Sequence, residues 1–368
     1  MSSRFNSACA TVAITVVLLA GCSSGDGSGT GPPSPGPVIT GVTFDESSHR
    51  RLAQGSDNWP LTWSDDDHQY AMWGDGGGFN GSESDGRSSF GVARIEGNHD
   101  NYRGVNRFGG KDGECASNIH GKAHGGPISV GGVLYVWVSP HDDHHGYGSF
   151  SLYRSLDKGC TWLERDVAFV LASDGISYGG FVLAGKDNSL ARDAYVYTVA
   201  PAVTNTDSLR IVQRPGRIML LRVPTATIED RGAYEFYAGK DSTGEPVWSA
   251  SIDNQTPIYE DSQGVGPFPL IIYVPGLDRW VYSNQHGNGT DDVAMRSLLT
   301  IAEAPQPWGP WTIVFRDVFL PAIEQSVFQW SFAPKWFRED GRKFTLVFSG
   351  DRINDSWNTV DGAFTVAP

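Results

Sequence analysis

A strand–turn–strand–strand pattern occurs five times along the chain and restricts the folds that it can adopt. In each copy, two apolar segments joined by a short polar turn end in a polar or small residue, and a third apolar segment follows. Several copies continue with a tryptophan-bearing segment that suits an outer strand, at 159–162, 246–248 and 309–311. Four-stranded units repeated in this way are typical of a β-propeller. The hairpins lie at 60–73, 127–139, 181–200, 269–284 and 334–349, and the third segments at 90–95, 150–155, 218–223, 296–301 and 362–366.

Composition supports the same fold class. The 368 residues include 45 Gly and 12 Trp, and long helical patterns are absent, which favours many short strands joined by tight turns. A β chain of this length can form a single domain. We therefore predict an all-β fold, a five-bladed β-propeller over residues 38–368. Six or seven blades remain open if weak copies have been merged.

The first 22 residues are predicted to be a targeting segment. An apolar run at 10–20 is too short to span a bilayer, and it ends in Leu19-Ala-Gly-Cys22, which resembles the bacterial lipobox. Residues 23–37 are rich in Gly, Pro and Ser and are expected to form a tether. The protein is therefore expected to be exported and anchored to the bacterial cell envelope through lipid on Cys22. An ordinary secretory peptide is the alternative.

The cysteines of the chain predict one disulfide. Cys9 would leave with the signal and Cys22 would carry lipid, so Cys115 and Cys160 remain in a compartment where disulfides persist, and we expect them to pair.

The net charge of −14 argues against a nucleic-acid partner, because phosphates need a positive footprint. A neutral polysaccharide is compatible with this charge. We expect a monomer that touches the membrane only through its N-terminal lipid.

Two aspartates flank the first hairpin. Asp57 precedes its first strand and Asp75 follows its second, and the outer ends of a hairpin lie side by side. Two carboxylates that converge among aromatic residues are the arrangement that glycoside-cleaving sites use. We expect Trp59, Trp63 and Trp73 to form an apolar wall that keeps one carboxyl of the pair protonated. The alternative is that Asp57 caps a turn and Asp75 begins a loop.

Further polar residues stand at the ends of the predicted inner strands. A propeller brings these ends together around its axis, so that residues distant in sequence can line one pocket. A solvated channel mouth without chemistry is the alternative. The residues concerned are Asp75, Ser139, His141, Asn284, His286 and Asp351.

Five stretches resemble a bacterial propeller family that was long catalogued as a domain of unknown function and that includes endo-D-arabinanases. They are 57–63 (DNWPLTW), 70–76 (YAMWGDG), 132–137 (GVLYVW), 233–239 (AYEFYAG) and 304–311 (APQPWGPW). The resemblance implies a propeller fold and hydrolysis of an arabinan-like furanoside glycan. It also implies that Asp57 and Asp75 are the catalytic pair. Propellers that share a scaffold need not share a glycan.

A histidine-rich region departs from that family pattern. Five of the nine histidines lie between residues 120 and 145, and histidine suits acid–base work near neutral pH. Polysaccharide lyases on propeller folds use a His, a Tyr and an Arg to neutralise a uronate and move a proton. The residues of those types available here are His124 with His141 or His144, Tyr178, and Arg210 or Arg214. An exposed loop without chemistry is the alternative for residues 141–145.

Three functions follow: a glycoside hydrolase built on the two aspartates, a lyase that β-eliminates a uronate-containing glycan, and a glycan-binding propeller without catalysis. The hydrolase is favoured because its residues lie at motif positions of the family. No cofactor is required, although the acidic turns at 65–67 and 141–143 could hold a structural Ca²⁺. The residues expected to contact substrate are Trp59, Trp73, His120, His124, His141, Tyr178, Asn284, His286 and Asp351.

Overall fold

The computed structural model describes residues 38–140, 148–204, 212–289, 297–320, 327–350 and 355–367, which belong to one compact unit. Nearly all of its regular structure is β, in five antiparallel sheets that form the blades of a propeller. The predicted all-β, five-bladed fold is therefore confirmed. Among the described residues, no helix is long and apolar enough to cross a bilayer. The predicted signal, the lipid-bearing Cys22 and the tether lie outside these residues.

The strands follow the chain from blade to blade. Strand β1 (Ile39–Leu52) comes first in sequence but belongs to blade 5. Blade 1 contains β2 (Leu61–Trp63), β3 (Gln69–Trp73), β4 (Gly91–Glu96) and β5 (Arg103–Phe108). Blade 2 contains β6 (Gly121–Lys122), β7 (Ile128–Val130), β8 (Val133–Pro140), β9 (Phe150–Ser155) and β10 (Leu163–Phe169). Blade 3 contains β11 (Gly180–Phe181), β12 (Tyr195–Pro201), β13 (Gly216–Pro224), β14 (Glu235–Lys240), β15 (Pro246–Ser249) and β16 (Tyr259–Asp261). Blade 4 contains β17 (Leu270–Val274), β18 (Arg279–Gln285), β19 (Leu298–Ala304) and β20 (Thr312–Val318). Blade 5 contains β21 (Val327–Phe332), β22 (Lys343–Gly350) and β23 (Trp357–Val366).

Helical structure in the described residues is limited to single turns. There is one α-helical turn, α1 (Leu171–Asp174), between blades 2 and 3. The 3₁₀ turns are Lys186–Asn188, Thr225–Thr227, Arg231–Ala233, Ile252–Asn254, Pro275–Leu277 and Pro334–Trp336.

Aromatic side chains fill the spaces between neighbouring blades. The rings of Trp59 and Trp357 meet edge-on at 5.4 Å between blades 1 and 5. The ring of Trp137 stacks on Phe181 at 5.4 Å between blades 2 and 3. Such pairs add stabilisation beyond the apolar area that they bury. The high aromatic content of the sequence therefore serves the packing of blade on blade.

Strand β1 closes the ring, a feature that the sequence did not reveal. It pairs antiparallel with β23, from Ile39 opposite Val366 to Leu52 opposite Trp357, so the beginning and the end of the propeller share one sheet. Phe44 on β1 packs against Phe319, which directly follows β20 of blade 4, with ring centroids 5.0 Å apart. The pairing satisfies backbone groups that would otherwise form an open sheet edge.

The predicted boundary of the fifth hairpin is wrong. Its inner strand is β21, which begins at Val327, whereas the prediction began at Pro334. Pro334–Trp336 is instead a 3₁₀ turn in the connection from β21 to β22. Proline has no backbone N–H to donate to a sheet, so it fits the turn and not the interior of an inner strand.

Cys115 and Cys160 form a disulfide, the pair predicted from the sequence, with Cα atoms 5.5 Å apart. Cys115 follows blade 1, where it forms a bridge with Phe108 at the end of β5. Cys160 precedes β10, the outer strand of blade 2. The bond therefore joins the outer edges of two neighbouring blades.

Replacing both cysteines by serine is expected to lower the free energy of unfolding by roughly 4 kcal/mol. The residues are 45 apart in sequence, and in the chain-entropy model a loop of this size gives a stabilisation of about that amount. Denaturant unfolding of the wild type and the double variant measures the difference. A change below about 1 kcal/mol would mean that the bond does not restrict the unfolded chain in the way that this model assumes.

Candidate functional site

The first hairpin brings Asp57 and Asp75 to the same end of blade 1. Strands β2 and β3 pair in register, with Leu61 opposite Ala71. The pairing continues beyond the strands, because the Asp57 N–H donates to Gly74 O at 3.0 Å and the Gly74 N–H donates to Asp57 O at 2.8 Å. Asp75 is thus the neighbour of the residue that pairs with Asp57. This is the adjacency that the hairpin argument predicts.

Two cations bind the carboxylate of Asp75. Lys122 Nζ forms an ion pair with Asp75 Oδ2, and Arg87 Nη2 lies 2.9 Å from Asp75 Oδ1. Asp75 has a positive φ of 53°, and Gly76 after it has a φ of 69°. A Cβ on Gly76 would lie 1.9 Å from Gly55 O, so only glycine fits there. The turn that presents Asp75 therefore depends on the glycine run after it.

Lys122 reaches the site from blade 2. It lies on the short strand β6, opposite Ser139 of β8, and only 4% of its surface is exposed. A carbon placed at the Cβ position of Gly74 would be 3.3 Å from Lys122 Nζ and 3.2 Å from Asp57 Oδ1. The ammonium group and the Asp57 carboxylate thus face the same bare stretch of backbone.

Lys122 is not among the site residues predicted from the sequence. It lies between His120 and His124 in the histidine-rich region. A lysine in a glycine-rich stretch between two strands is usually a solvated charge, so its burial was not evident.

Asp57 is held by its neighbours on blades 1 and 5. Asn58 Nδ2 donates to Asp57 Oδ1 at 2.7 Å, and the Asn58 N–H donates to Ser349 Oγ at the end of β22 at 3.2 Å. Asn58 itself adopts a left-handed backbone with φ 57°, a conformation that asparagine tolerates. This segment therefore ties the start of blade 1 to the end of the second strand of blade 5.

The tryptophans do not form the predicted wall around the carboxylates. Trp59 and Trp73 are fully buried, with ring centroids 5.5 Å apart, and they belong to the core between blades 1 and 5. Trp63 lies at the far end of the hairpin, where its Nε1 donates to Asp67 Oδ1 at 3.1 Å. The assignment of Trp59 and Trp73 to substrate binding is therefore wrong for this structure, because core side chains have no surface to offer a sugar.

His124, which precedes β7, contacts Tyr178, which precedes β11. Their rings are 4.8 Å apart, and the ring of His124 also stacks on Phe268 at 5.4 Å. Gln329 on β21 donates its side-chain amide to the backbone oxygen of His124. Residues at or just before the inner strands of blades 2, 3, 4 and 5 thus meet in one cluster. His124 is 5% exposed and Tyr178 is 1% exposed, so both side chains are buried and offer little surface to a substrate.

Asn284 and His286 close the end of β18. Asn284 Nδ2 donates to Gly266 O at 2.9 Å, and His286 Nδ1 lies 3.1 Å from Thr300 Oγ1. Both residues are buried. Burial, together with the charge of Arg316, lowers the pKa of His286 to about 4, so the ring is neutral at neutral pH. Asn284 and His286 therefore make structural contacts within the fold and do not line an open pocket. This contradicts their predicted role in substrate binding.

Of the other predicted site residues, the structure describes His120 and Arg214. His120 is exposed just before β6, whereas Arg214 donates to the backbone oxygen of Gly289. The remaining residues lie outside the described part of the chain; they are His141, His144, Arg210 and Asp351.

The acidic turn at 65–67 is occupied by protein donors. Asp65 forms an ion pair with Lys158, and Asp67 lies 2.9 Å from Lys335 Nζ. Hydrogen bonds from these lysines lower the pKa of both carboxyls. In the described ranges, no cluster of three or more His, Cys, Asp or Glu side chains could hold a metal ion. The second predicted calcium position, 141–143, is outside those ranges.

Comparison with known proteins identifies the fold and no closer relationship. No protein-family model and no curated protein matches the chain. Among solved structures, the GH43_1 enzyme from Xanthomonas citri aligns with a TM-score of 0.50 and 10% identity, over 86% of this chain and 91% of that one. Its complex with xylotriose aligns at a TM-score of 0.50 and 11% identity, over 86% and 90% of the two chains. A candidate hydrolase from Bacteroides ovatus ATCC 8483 aligns at 0.51 and 13% identity, over 84% and 87%. At these identities the likeness shows the propeller fold alone.

Proposed function

We propose that this protein is a glycoside hydrolase that cleaves a polysaccharide with Asp57 and Asp75 as its carboxylate pair. The observation that carries the proposal is the backbone pairing of Asp57 with Gly74, which sets the two aspartates side by side at one strand end. Asp75 is 31% exposed in its side chain, so a substrate can reach it. The similar fold of an enzyme solved with xylotriose supports an oligosaccharide as the class of ligand.

The chemistry needs one proton donor and one ionised carboxylate. As the bond between the anomeric carbon and the glycosidic oxygen breaks, the acid gives its proton to the departing oxygen. The carboxylate either takes a proton from the water that attacks the anomeric carbon, or attacks that carbon itself and is later released by water. One water is consumed per bond in both routes.

An arabinan-like furanoside is the substrate that we propose, because the five motif stretches resemble a family with endo-D-arabinanases. The lipobox at Cys22 and the tether at 23–37 support action at the cell envelope, where one anchored end leaves the propeller free to reach polymer. We propose that the enzyme works as a monomer without a cofactor.

A polysaccharide lyase is the second candidate, and one observation favours it. The structure places His124 against Tyr178, two residue types that a lyase needs. Their burial argues against it, since a proton acceptor must lie within hydrogen-bonding reach of the substrate. The aspartate pair is the better supported site.

A panel of arabinans and uronate polysaccharides separates these functions. The purified protein is incubated with each polymer, and reducing ends and the ultraviolet absorbance of unsaturated uronates are measured together. New reducing ends without the absorbance support the hydrolase. Both signals together support the lyase, and binding without either supports a glycan-binding module.

Replacing Gly74 by alanine is expected to lower kcat/KM by about 10²-fold, the cost of a displacement of about 1 Å at a reacting group. The new Cβ would lie 2.9 Å from Lys122 Cδ and 3.2 Å from Asp57 Oδ1, so both side chains must move. Gly74 has no positive φ, so alanine suits its backbone and the fold should survive. Steady-state kinetics on the cleaved glycan measure the effect.

Gly41→Ala is the matched control, because a Cβ there meets its nearest atoms at an ordinary 3.7 Å. It should leave both kinetics and melting temperature unchanged. A Gly74→Ala enzyme with wild-type kcat/KM would show that the space over Gly74 is not part of the reacting site.

A further inference from the structure

Lys122 is a buried cation at the edge of the candidate site. Its side chain is 5% exposed, and the carboxylate that it pairs with is 31% exposed. A lysine is rarely buried to this extent unless its charge is compensated, because removing an ammonium group from water is costly. The ion pair with Asp75 supplies that compensation.

The strand that carries Lys122 has a special place in blade 2. Strands β6 and β7 both pair with β8, but at different ends of it. Strand β6 pairs with the far end, where Lys122 lies opposite Ser139 and Gly121 opposite Pro140. It therefore extends the sheet only at the end where Asp75 lies. The local fold thus places Lys122 beside Asp75.

Asp75 is surrounded by charge of one sign on two sides. Lys122 approaches Oδ2 from β6, and Arg87 approaches Oδ1 from the loop between β3 and β4. Arg87 is also paired with Glu83, and it is 43% exposed, so its charge is partly screened by solvent. Asp57, from the segment before β2, is the acidic group that faces the same space across Gly74. Lys122 is the less screened of the two cations.

We propose that Lys122 is the positioning residue that holds and orients the Asp75 carboxylate, so that Asp75 acts as the carboxylate of the pair and Asp57 as the proton donor. An adjacent cation stabilises the charged form of a carboxylate. The bond from Nζ to Oδ2 also fixes the orientation of the carboxylate plane. This assignment of roles rests on the proposed hydrolase function.

The test compares the pH dependence of kcat in the wild type and Lys122→Met. An adjacent cation favours the charged form of a carboxylate, so removing the ammonium group should move the acidic limb of the profile to higher pH. KM should change much less than kcat, because the sugar does not touch a buried residue. Adding propylammonium to Lys122→Ala should move the limb back, whereas tetramethylammonium, which has no N–H to donate, should not.

Lys343→Met is the matched control. Lys343 also pairs with a carboxylate, Glu339, but this pair is exposed at the start of β22, the opposite end of that strand from Ser349, which binds Asn58. Its removal should leave the profile unchanged. If Lys122→Met does not fold, Lys122→Gln replaces it; glutamine lacks the charge but keeps a hydrogen-bond donor, and the limb should move in the same direction.

The possible outcomes distinguish a failure of the proposed hydrolase function from a failure of the proposed role of Lys122. A wild-type protein that cleaves no glycan by hydrolysis overturns the proposed function and, with it, the role of Lys122. A wild type that hydrolyses glycan while the profiles of Lys122→Met and of the wild type coincide overturns the role of Lys122 alone.

Discussion

Asp75→Asn is expected to lower the rate of glycan cleavage by roughly 10³–10⁴-fold, and Asp57→Asn by a similar factor. Asparagine keeps the shape of each side chain but neither carries the charge nor gives the proton that hydrolysis needs. At Asp75 the change also removes the partner of Lys122 and Arg87. Single-turnover measurements on the glycan that the wild type cleaves give the size of the loss.

Asp253→Asn, a change at an exposed carboxylate in the turn after β15, serves as the control and should retain full activity. Both site variants should melt within a few degrees of the wild type, which separates lost chemistry from lost fold. If Asp75→Asn stays active while His124→Ala abolishes cleavage, the aspartate pair is not the catalytic site and the lyase replaces the hydrolase.

A chain that begins at residue 53, and so lacks β1, is expected not to fold into a stable propeller. Its loss would expose the backbone edge of β23 and uncover the side of blade 5 on which Phe44 packs against Phe319 and Phe344. The combined cost should exceed the roughly 5–15 kcal/mol by which a typical domain is stable. Circular dichroism during thermal unfolding should show no cooperative transition.

A chain that begins at residue 38 is the control for this truncation, because it keeps every described residue up to the C-terminus. It should unfold cooperatively. If the shorter chain unfolds with the same midpoint, the pairing of β1 with β23 does not hold the ring closed.

The hairpins of the blades could be predicted because each one is local. Strands β7 and β8, for example, are joined by Gly131 and Gly132, both with positive φ, and the apolar runs on either side are visible in the sequence. Closure by β1 could not be predicted in this way, since only one residue of the strand is buried, many of its residues are polar, and its partner lies more than 300 residues away in sequence. A hydrophobic pattern predicts a strand much better than it predicts the partner of that strand.

The adjacency of the two aspartates was predictable because it is local. The prediction of the site was incomplete because its other contacts join different blades. Asp57 and Asp75 belong to a single hairpin, so their adjacency follows from its geometry. The burial of Trp59 and Trp73 depends on blade 5, and the contact of Lys122 with Asp75 depends on blade 2. Contacts between blades leave no regular spacing in the sequence.

Cleavage in water enriched in oxygen-18 distinguishes hydrolysis by the aspartate pair from elimination. Hydrolysis breaks each glycosidic bond with one water, so mass spectrometry should find one heavy oxygen at every new reducing end, and Asp57→Asn and Asp75→Asn should abolish this labelled product. Elimination consumes no water. Fragments that form without heavy oxygen and carry an unsaturated sugar at the new end would contradict the hydrolase account.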